Sequence, residues 1–266
     1  MKTNLLVLIT FLMFACTGSI TTPPEKVPVG DEVILGIFGG MGPEATADLY
    51  LQVLKLTPAA TDQEHIPALI FSNVVVPDRV DAITSGDSSI IDYLTYSVRK
   101  LEKAGASYIA IPCNTAHYYF KDMQDAVSIP VINMIRETAT VVAEKYPEAR
   151  KVGLLATSGT IKTGLYEKEL SAMGFEVISP PDDIENEYVM KAVRGIKAGS
   201  DHQGNEDLLA FAGQHLADRG AELIVLGCTE IPLAYNPDRV DLPVVNATMV
   251  LAEKAVEMFY LQKGNR

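Results

Sequence analysis

Cations are in short supply in this 266-residue chain: 22 lysines and arginines stand against 34 aspartates and glutamates, a formal net charge of −12. With no basic run to offset that balance, binding to a phosphate backbone is disfavoured and no nucleic-acid partner is expected. Cysteine is scarce as well. The three at positions 16, 113 and 228 are too few and too far apart for a disulfide framework or a zinc finger, so each needs its own explanation. Long hydrophobic runs are missing too: Leu5 through Ala15 is an apolar stretch of 11 residues, short of the roughly 20 that span a bilayer as a helix. What is present, 48% hydrophobic and 21% charged residues with 19 Gly and 15 Pro, is the composition of a globular chain with a full-sized core.

The N-terminus accounts for the first cysteine. Met1-Lys2-Thr3-Asn4 followed by the apolar stretch reads as a signal peptide over residues 1–15. Cys16 follows small Ala15 and opens a tether, residues 16–30, rich in Thr, Ser, Gly and Pro. The arrangement resembles a bacterial lipoprotein signal with Cys16 as the lipidated residue, although Met13 and Phe14 match that pattern loosely. The expectation is an exported protein held to a membrane by a lipid anchor on the periplasmic side, with a soluble periplasmic or secreted form as the alternative.

Downstream, short apolar runs alternate with helical stretches. Strands are expected at Val33–Phe38, Ala68–Asn73, Tyr108–Pro112, Val131–Met134, Lys151–Ala156, Phe175–Ser179, Leu223–Leu226 and Val244–Asn246. Helices are expected at Ser89–Ala104, Ile135–Lys145, Ile161–Met173, Glu206–Arg219 and Thr248–Leu261. The acidic segment containing Asp182, Asp183, Glu185 and Glu187 reads as a solvated loop or helix start. This alternation is an α/β pattern with parallel sheets, whose sites lie beyond the carboxyl ends of the strands.

The chain also repeats itself. Gly105-Ala106 through Cys113 matches Gly220-Ala221 through Cys228, with 8 residues from Gly to Cys in both copies. Ile129-Pro130-Val131-Ile132-Asn133 matches Leu242-Pro243-Val244-Val245-Asn246, and Gly36–Gly42 aligns with Gly153–Gly159. Two pseudo-symmetric α/β domains follow, residues 31–133 and 134–246, with the C-terminal helix 247–262 returning to the first. Each domain would present one cysteine to a shared cleft.

Four readings of Cys113 and Cys228 are open from the residues alone. They are buried core cysteines, a disulfide in an oxidising compartment, a zinc site with His117, or two opposed thiols at the polar rim of strands. In the last reading one thiolate removes a proton from a substrate carbon while the other thiol returns one to the opposite face, which inverts a stereocentre without a redox cofactor.

Several ordered motifs then come together: Gly36-Ile37-Phe38-Gly39-Gly40-Met41-Gly42-Pro43-Glu44-Ala45-Thr46, Asp62-Gln63-Glu64-His65-Ile66-Pro67, Val76-Pro77-Asp78-Arg79, Pro112-Cys113-Asn114-Thr115-Ala116-His117, Leu155-Ala156-Thr157-Ser158-Gly159-Thr160 and Gly227-Cys228-Thr229-Glu230. From Val33 onward the chain resembles the cofactor-independent aspartate/glutamate racemase family, its aspartate racemase branch in particular. The resemblance implies a homodimer and proton exchange at an amino acid α-carbon by Cys113 and Cys228. It implies no pyridoxal phosphate and no metal.

Negative charge develops beside the substrate carboxylate in such chemistry, so donors are needed there. Asn114, Thr115, Thr157, Ser158, Gly159, Thr160 and Thr229 are the candidates, with Met41 and Gly42 bringing backbone close to the substrate. By the resemblance Arg79 and Lys197 match the cations that hold an acidic side chain, a bidentate clamp and a point charge respectively. His117 and Glu230 are candidates for orienting roles. The expected activity is interconversion of L- and D-aspartate. Its alternatives are a glutamate or broad-specificity racemase, or a non-catalytic lipoprotein that binds an acidic amino acid; a related decarboxylase or isomerase would lack one cysteine of the pair.

Overall fold

Strand β1 (Leu35–Gly39) is apolar and buried along its whole length, as a central strand with both faces covered must be. It pairs in parallel with β2 (Ala68–Ser72) on one side and β3 (Tyr108–Ala110) on the other, giving a sheet of order β2-β1-β3. A second parallel sheet holds β4 (Lys151–Ala156), β5 (Glu176–Ile178), β6 (Leu223–Gly227) and β7 (Val244–Asn246) in the order β5-β4-β6-β7. The computed structural model describes residues 32–264, and from Val33 these form one compact unit. Residues 1–31, with the expected signal peptide, Cys16 and the tether, lie outside the described residues.

The helices run in chain order as α1 (Pro43–Leu56), α2 (Arg79–Ser85), α3 (Ile90–Lys103), α4 (Phe120–Asp125), α5 (Met134–Lys145), α6 (Ser158–Lys162), α7 (Leu165–Ala172), α8 (Asp182–Ile184), α9 (Lys191–Lys197), α10 (His202–Asp218) and α11 (Ala247–Gly264). Their faces follow the helical period. In α3, Ile90, Leu94, Ser97, Val98 and Leu101 are buried, while Asp92, Arg99, Lys100 and Lys103 are exposed together with Tyr93 and Tyr96. Helix α11 lays Leu251, Ala252, Ala255 and Phe259 against Leu49 and Val53 of α1 in the core of the first sheet. There the Tyr108 hydroxyl donates to the Ala255 carbonyl at 2.7 Å.

The sequence repeat is a repeat of hydrogen bonds. Gly36 lies opposite Ile109 in the first sheet as Gly153 lies opposite Ile224 in the second. The Ile109 N–H donates to Pro130 O at 2.9 Å, and the Ile224 N–H donates to Pro243 O at 2.8 Å. Asn133 and Asn246 then turn the chain into α5 and α11, their side-chain oxygens accepting from the Arg136 and Thr248 N–H groups at 3.1 and 2.9 Å. This capping corrects the expected strand at Val131–Met134. Only a single bridge, Ile109 to Val131, remains of it, because Met134 already belongs to the helix that Asn133 caps.

Two more expectations need correction. The helix expected over Ile161–Met173 is broken at Gly164, whose φ of 63° is left-handed, and begins earlier, at Ser158. The acidic segment is a helix start with Asp182, Asp183 and Glu187 exposed, as expected, and a π-helical run over Glu185–Met190 joins α8 to α9, but Glu185 is buried rather than solvated.

Candidate active site

The first half contributes the turn after β1. Thr46 on α1 pins that turn, its hydroxyl accepting from the Gly40 N–H at 2.9 Å and donating to Gly42 O at 2.7 Å. Gly40 has φ +93°, and a side chain there would sit within about 2.5 Å of the Asn73 backbone. Only glycine fits. A side chain at Gly42 would reach within 2.9 Å of Glu230 Oε1, so this glycine lets the second half come close.

Beyond β3 and beyond β6 lie the two cysteines. Both are free and buried, and both line one narrow cleft, with about 20 Å³ of free space, room for one water. No disulfide joins them. Met41, Arg79, Asn114, Thr115 and Thr157 line the same cleft, as do Lys197, Thr229 and Glu230. Asp78 and Val80 complete its wall, two residues that sequence reasoning had not singled out as site residues. Asp78 carried a readable signal, since it caps α2 by accepting from the Val80 and Asp81 N–H groups at 2.8 and 3.1 Å.

The halves are joined across the cleft by polar groups. The hydroxyls of Thr115, Thr157 and Thr160 form a triangle with sides of 2.9, 2.9 and 3.1 Å. Thr229 donates to Pro112 O at 3.3 Å. Fully buried Tyr166 donates its hydroxyl to Asn114 Oδ1 at 2.6 Å, a contact that sequence reasoning missed because its partners are 52 residues apart. The bond fixes the Asn114 amide so that Nδ2, which is buried and has no partner, is left as a donor.

Around Cys228 the electrostatics are specific. Its Sγ donates to Glu230 Oε2 at 3.1 Å. Burial pushes the Cys228 thiol well above the ordinary range, and the neighbouring Glu230 carboxylate pushes it further in the same direction. Lys197 Nζ stands 3.9 Å from the other oxygen, Oε1.

His117 stands behind Cys113 rather than in the cleft wall. Nδ1 donates to Cys113 O at 2.9 Å, and Nε2 accepts from the Met134 N–H at 3.2 Å. Nε2 also lies 3.3 Å from Ile132 O, and burial lowers the pKa against the opposing effect of the Cys113 and Ile132 carbonyls. With both nitrogens engaged it does not complete a zinc site. Among the described residues no group of three or more His, Cys, Asp or Glu is arranged to hold a metal ion.

Three residues expected to touch substrate are placed elsewhere. Ser158 opens α6 outside the residues lining the cleft, Gly159 packs against Val80 and Thr115, and Thr160 is bonded to Thr115 and Thr157. Arg79 is in the cleft lining, where backbone carbonyls hold part of its guanidinium. Its two terminal nitrogens donate to Pro77 O at 3.0 Å and Met41 O at 3.2 Å, leaving buried Nε without a partner.

A two-lobed α/β fold with a cysteine from each lobe in a common cleft defines a racemase-type isomerase of the cofactor-independent kind. The chain belongs to the Asp/Glu/Hydantoin racemase family, whose sequence pattern it matches over residues 38–255. It is 29% identical to the broad-specificity amino-acid racemase of Bacillus subtilis over 233 residues, 85% of this chain and 98% of that one. Its fold is similar to that of the Picrophilus torridus aspartate racemase, with a TM-score of 0.77, 27% identity and coverage of 86% of this chain and 94% of that one. An aspartate racemase homologue of Pyrococcus horikoshii is similar at a TM-score of 0.68 and 27% identity, covering 85% and 98% of the two chains.

The same comparisons correct the expected location. The family match begins at residue 38, downstream of the whole segment on which export and lipid anchoring rested, and nearly complete relatives are matched without it. Nothing in them supports a lipid anchor or a periplasmic site, and among the described residues no helix is long and apolar enough to cross a membrane.

Proposed function

We propose that this chain racemises free amino acids by two-base proton transfer, Cys113 and Cys228 acting on opposite faces of the α-carbon. The observation that carries this reading is the lining of a single narrow cleft by two buried free thiols that follow equivalent strands of two sheets. Cys228, kept as a thiol by burial and by Glu230, is suited to donate a proton while Cys113 accepts one. When their protonation states exchange, the reverse reaction runs. The unpartnered Asn114 Nδ2 supplies a donor to the substrate carboxylate as negative charge develops beside it, held in place by Tyr166. His117 positions Cys113 through its carbonyl, and Glu230 positions Cys228.

The substrate range in this reading is broader than aspartate alone. Support comes from the match to a broad-specificity relative along nearly its whole length. The test is loss of the α-proton signal in D2O together with chiral analysis for L-aspartate, L-glutamate and neutral amino acids. Exchange accompanied by the D-enantiomer supports the reading; no exchange with any of them refutes it, and binding without exchange restores the non-catalytic alternative.

The reading includes a homodimer. Strand β2 is at the edge of its sheet, and Ile70 on it is exposed, as are neighbouring Val75, Tyr93 and Tyr96. Sedimentation equilibrium showing a monomer at micromolar concentration would remove this part.

A further inference from the structure

Two-base racemisation leaves the thiols in the wrong state for a second turnover. When Cys113 takes the α-proton and Cys228 gives one, the cleft is left with a Cys113 thiol and a Cys228 thiolate, the reverse of the state that began the reaction. Before the same enantiomer can react again, Cys228 must gain a proton and Cys113 must lose one.

The two sulfurs are differently placed for that exchange. Cys228 Sγ is bonded to Glu230 Oε2 at 3.1 Å. Among the described residues Cys113 is bonded through its backbone alone, its carbonyl to His117 and its N–H to Ile111 O. Glu230 lines the thiol cleft and also a neighbouring chamber of about 340 Å³, which reaches the surface at exposed Pro43, Glu44 and Lys197. The Glu230 side chain keeps 5% of its surface exposed, and Lys197 Nζ stands 3.9 Å from Oε1. The carboxylate thus belongs to both spaces, the closed one that holds the thiols and the one that opens to water. A thiolate left 3.1 Å from it is one of two like charges side by side in a buried place, which uptake of a proton relieves.

Resting on the racemase reading above, we infer that Glu230 is the proton relay that restores Cys228 between turnovers. The carboxylate takes a proton from solvent and becomes a carboxylic acid. It passes that proton through Oε2 to Sγ: the O–H bond breaks, the S–H bond forms and the carboxylate returns. Cys113 gives its thiol proton to water entering the cleft once product has left, where there is room for one molecule. One proton is taken up and one released, and nothing is oxidised or reduced. For the opposite enantiomer the same steps run backwards.

The experiment measures kcat, kcat/KM and the isotope effect of α-deuteration on kcat, with the amino acid that the parent turns over fastest. It compares the parent, Glu230→Gln and Glu230→Asp, each with and without added acetate. At low substrate the two thiol states equilibrate between encounters, so kcat/KM does not depend on how fast they exchange; at saturation every turnover waits for that exchange, so kcat does. In Glu230→Gln, kcat is expected to fall by roughly tenfold or more beyond any fall in kcat/KM, the scale of a lost proton-transfer group. The isotope effect on kcat seen in the parent disappears, and acetate raises kcat in the variant but not in the parent. Glu230→Asp keeps a carboxylate at shorter reach and shows the same pattern to a smaller degree, and it is the variant that decides if Glu230→Gln does not fold. Equal falls in kcat and kcat/KM, with the isotope effect retained and no response to acetate, overturn the inference and leave the racemase reading intact. No α-proton exchange by the parent with any amino acid overturns both.

Discussion

The Cys228 thiol donates to Glu230 Oε2 at 3.1 Å, while Lys197 approaches the same carboxylate from its other oxygen at 3.9 Å. The carboxylate thus favours the protonated thiol, and burial acts in the same direction. Replacing Glu230 with Gln removes a negative neighbour, stabilises the thiolate and moves the Cys228 titration to lower pH. Thiolate ultraviolet absorbance in a background carrying both Cys16→Ala and Cys113→Ala follows Cys228 alone. A titration that stays in place or moves upward contradicts this account of the pair.

Tyr166 and Asn114 link the two halves at 2.6 Å in a place closed to solvent. Tyr166→Phe leaves Asn114 Oδ1 without its donor, at a cost of about 1–3 kcal/mol. Denaturant unfolding measures that loss. The freed amide turns, so a rise in KM should accompany it.

Gly40 and Gly174 have nearly the same backbone angle, φ 93° and 92°, in different surroundings. A Cβ at Gly40 meets the Asn73 backbone, whereas a Cβ at Gly174 meets nothing within 4 Å. Gly174→Ala is therefore expected to cost about 1 kcal/mol, the left-handed penalty alone. Gly40→Ala should cost at least about 2 kcal/mol more, since backbone must move. Equal costs in urea unfolding would mean that the turn at residue 40 is less closely held than its geometry indicates.

Glu185 is raised to about 7, chiefly by burial and also by Asp182, against the opposing effects of Lys162, Arg194 and the Ser158 N–H. The folded state therefore holds this proton more tightly than the unfolded chain. Its contribution to stability is complete below the ordinary carboxyl value of 4.5 and is lost as pH rises through about 7. Glu185→Gln should stabilise the protein by about 2 kcal/mol above that window and change little below it. Paired unfolding curves on either side of the window check the sign.

Much of the fold was legible because it is written twice. The Gly-Ala to Cys spacing, the Pro that accepts from Ile109 or Ile224 and the Asn that caps the next helix recur in both halves, and each is a local feature with a local reason. Apolar runs marked the buried strands for the same reason. The departures come from competition or from distance. Asn133 could extend a strand or cap a helix, and the cap won. Gly164 broke an otherwise periodic helix by adopting a left-handed angle. The Tyr166 bond to Asn114 and the engagement of Arg79 by Met41 O depend on how distant segments pack, which periodicity does not encode. Leu5 through Ala15 and Cys16 resembled an export signal by composition alone, and the family relationship does not carry it.

The most direct test of the two-thiol account is deuterium incorporation at the α-carbon of each enantiomer of one turned-over amino acid, under reducing conditions, with the parent, Cys113→Ala and Cys228→Ala. The account predicts that the parent yields deuterated product of inverted configuration and that either substitution lowers racemisation by at least 10²-fold to 10⁴-fold, the range for loss of a general acid or base. Racemisation that persists near the parental rate in either variant contradicts it.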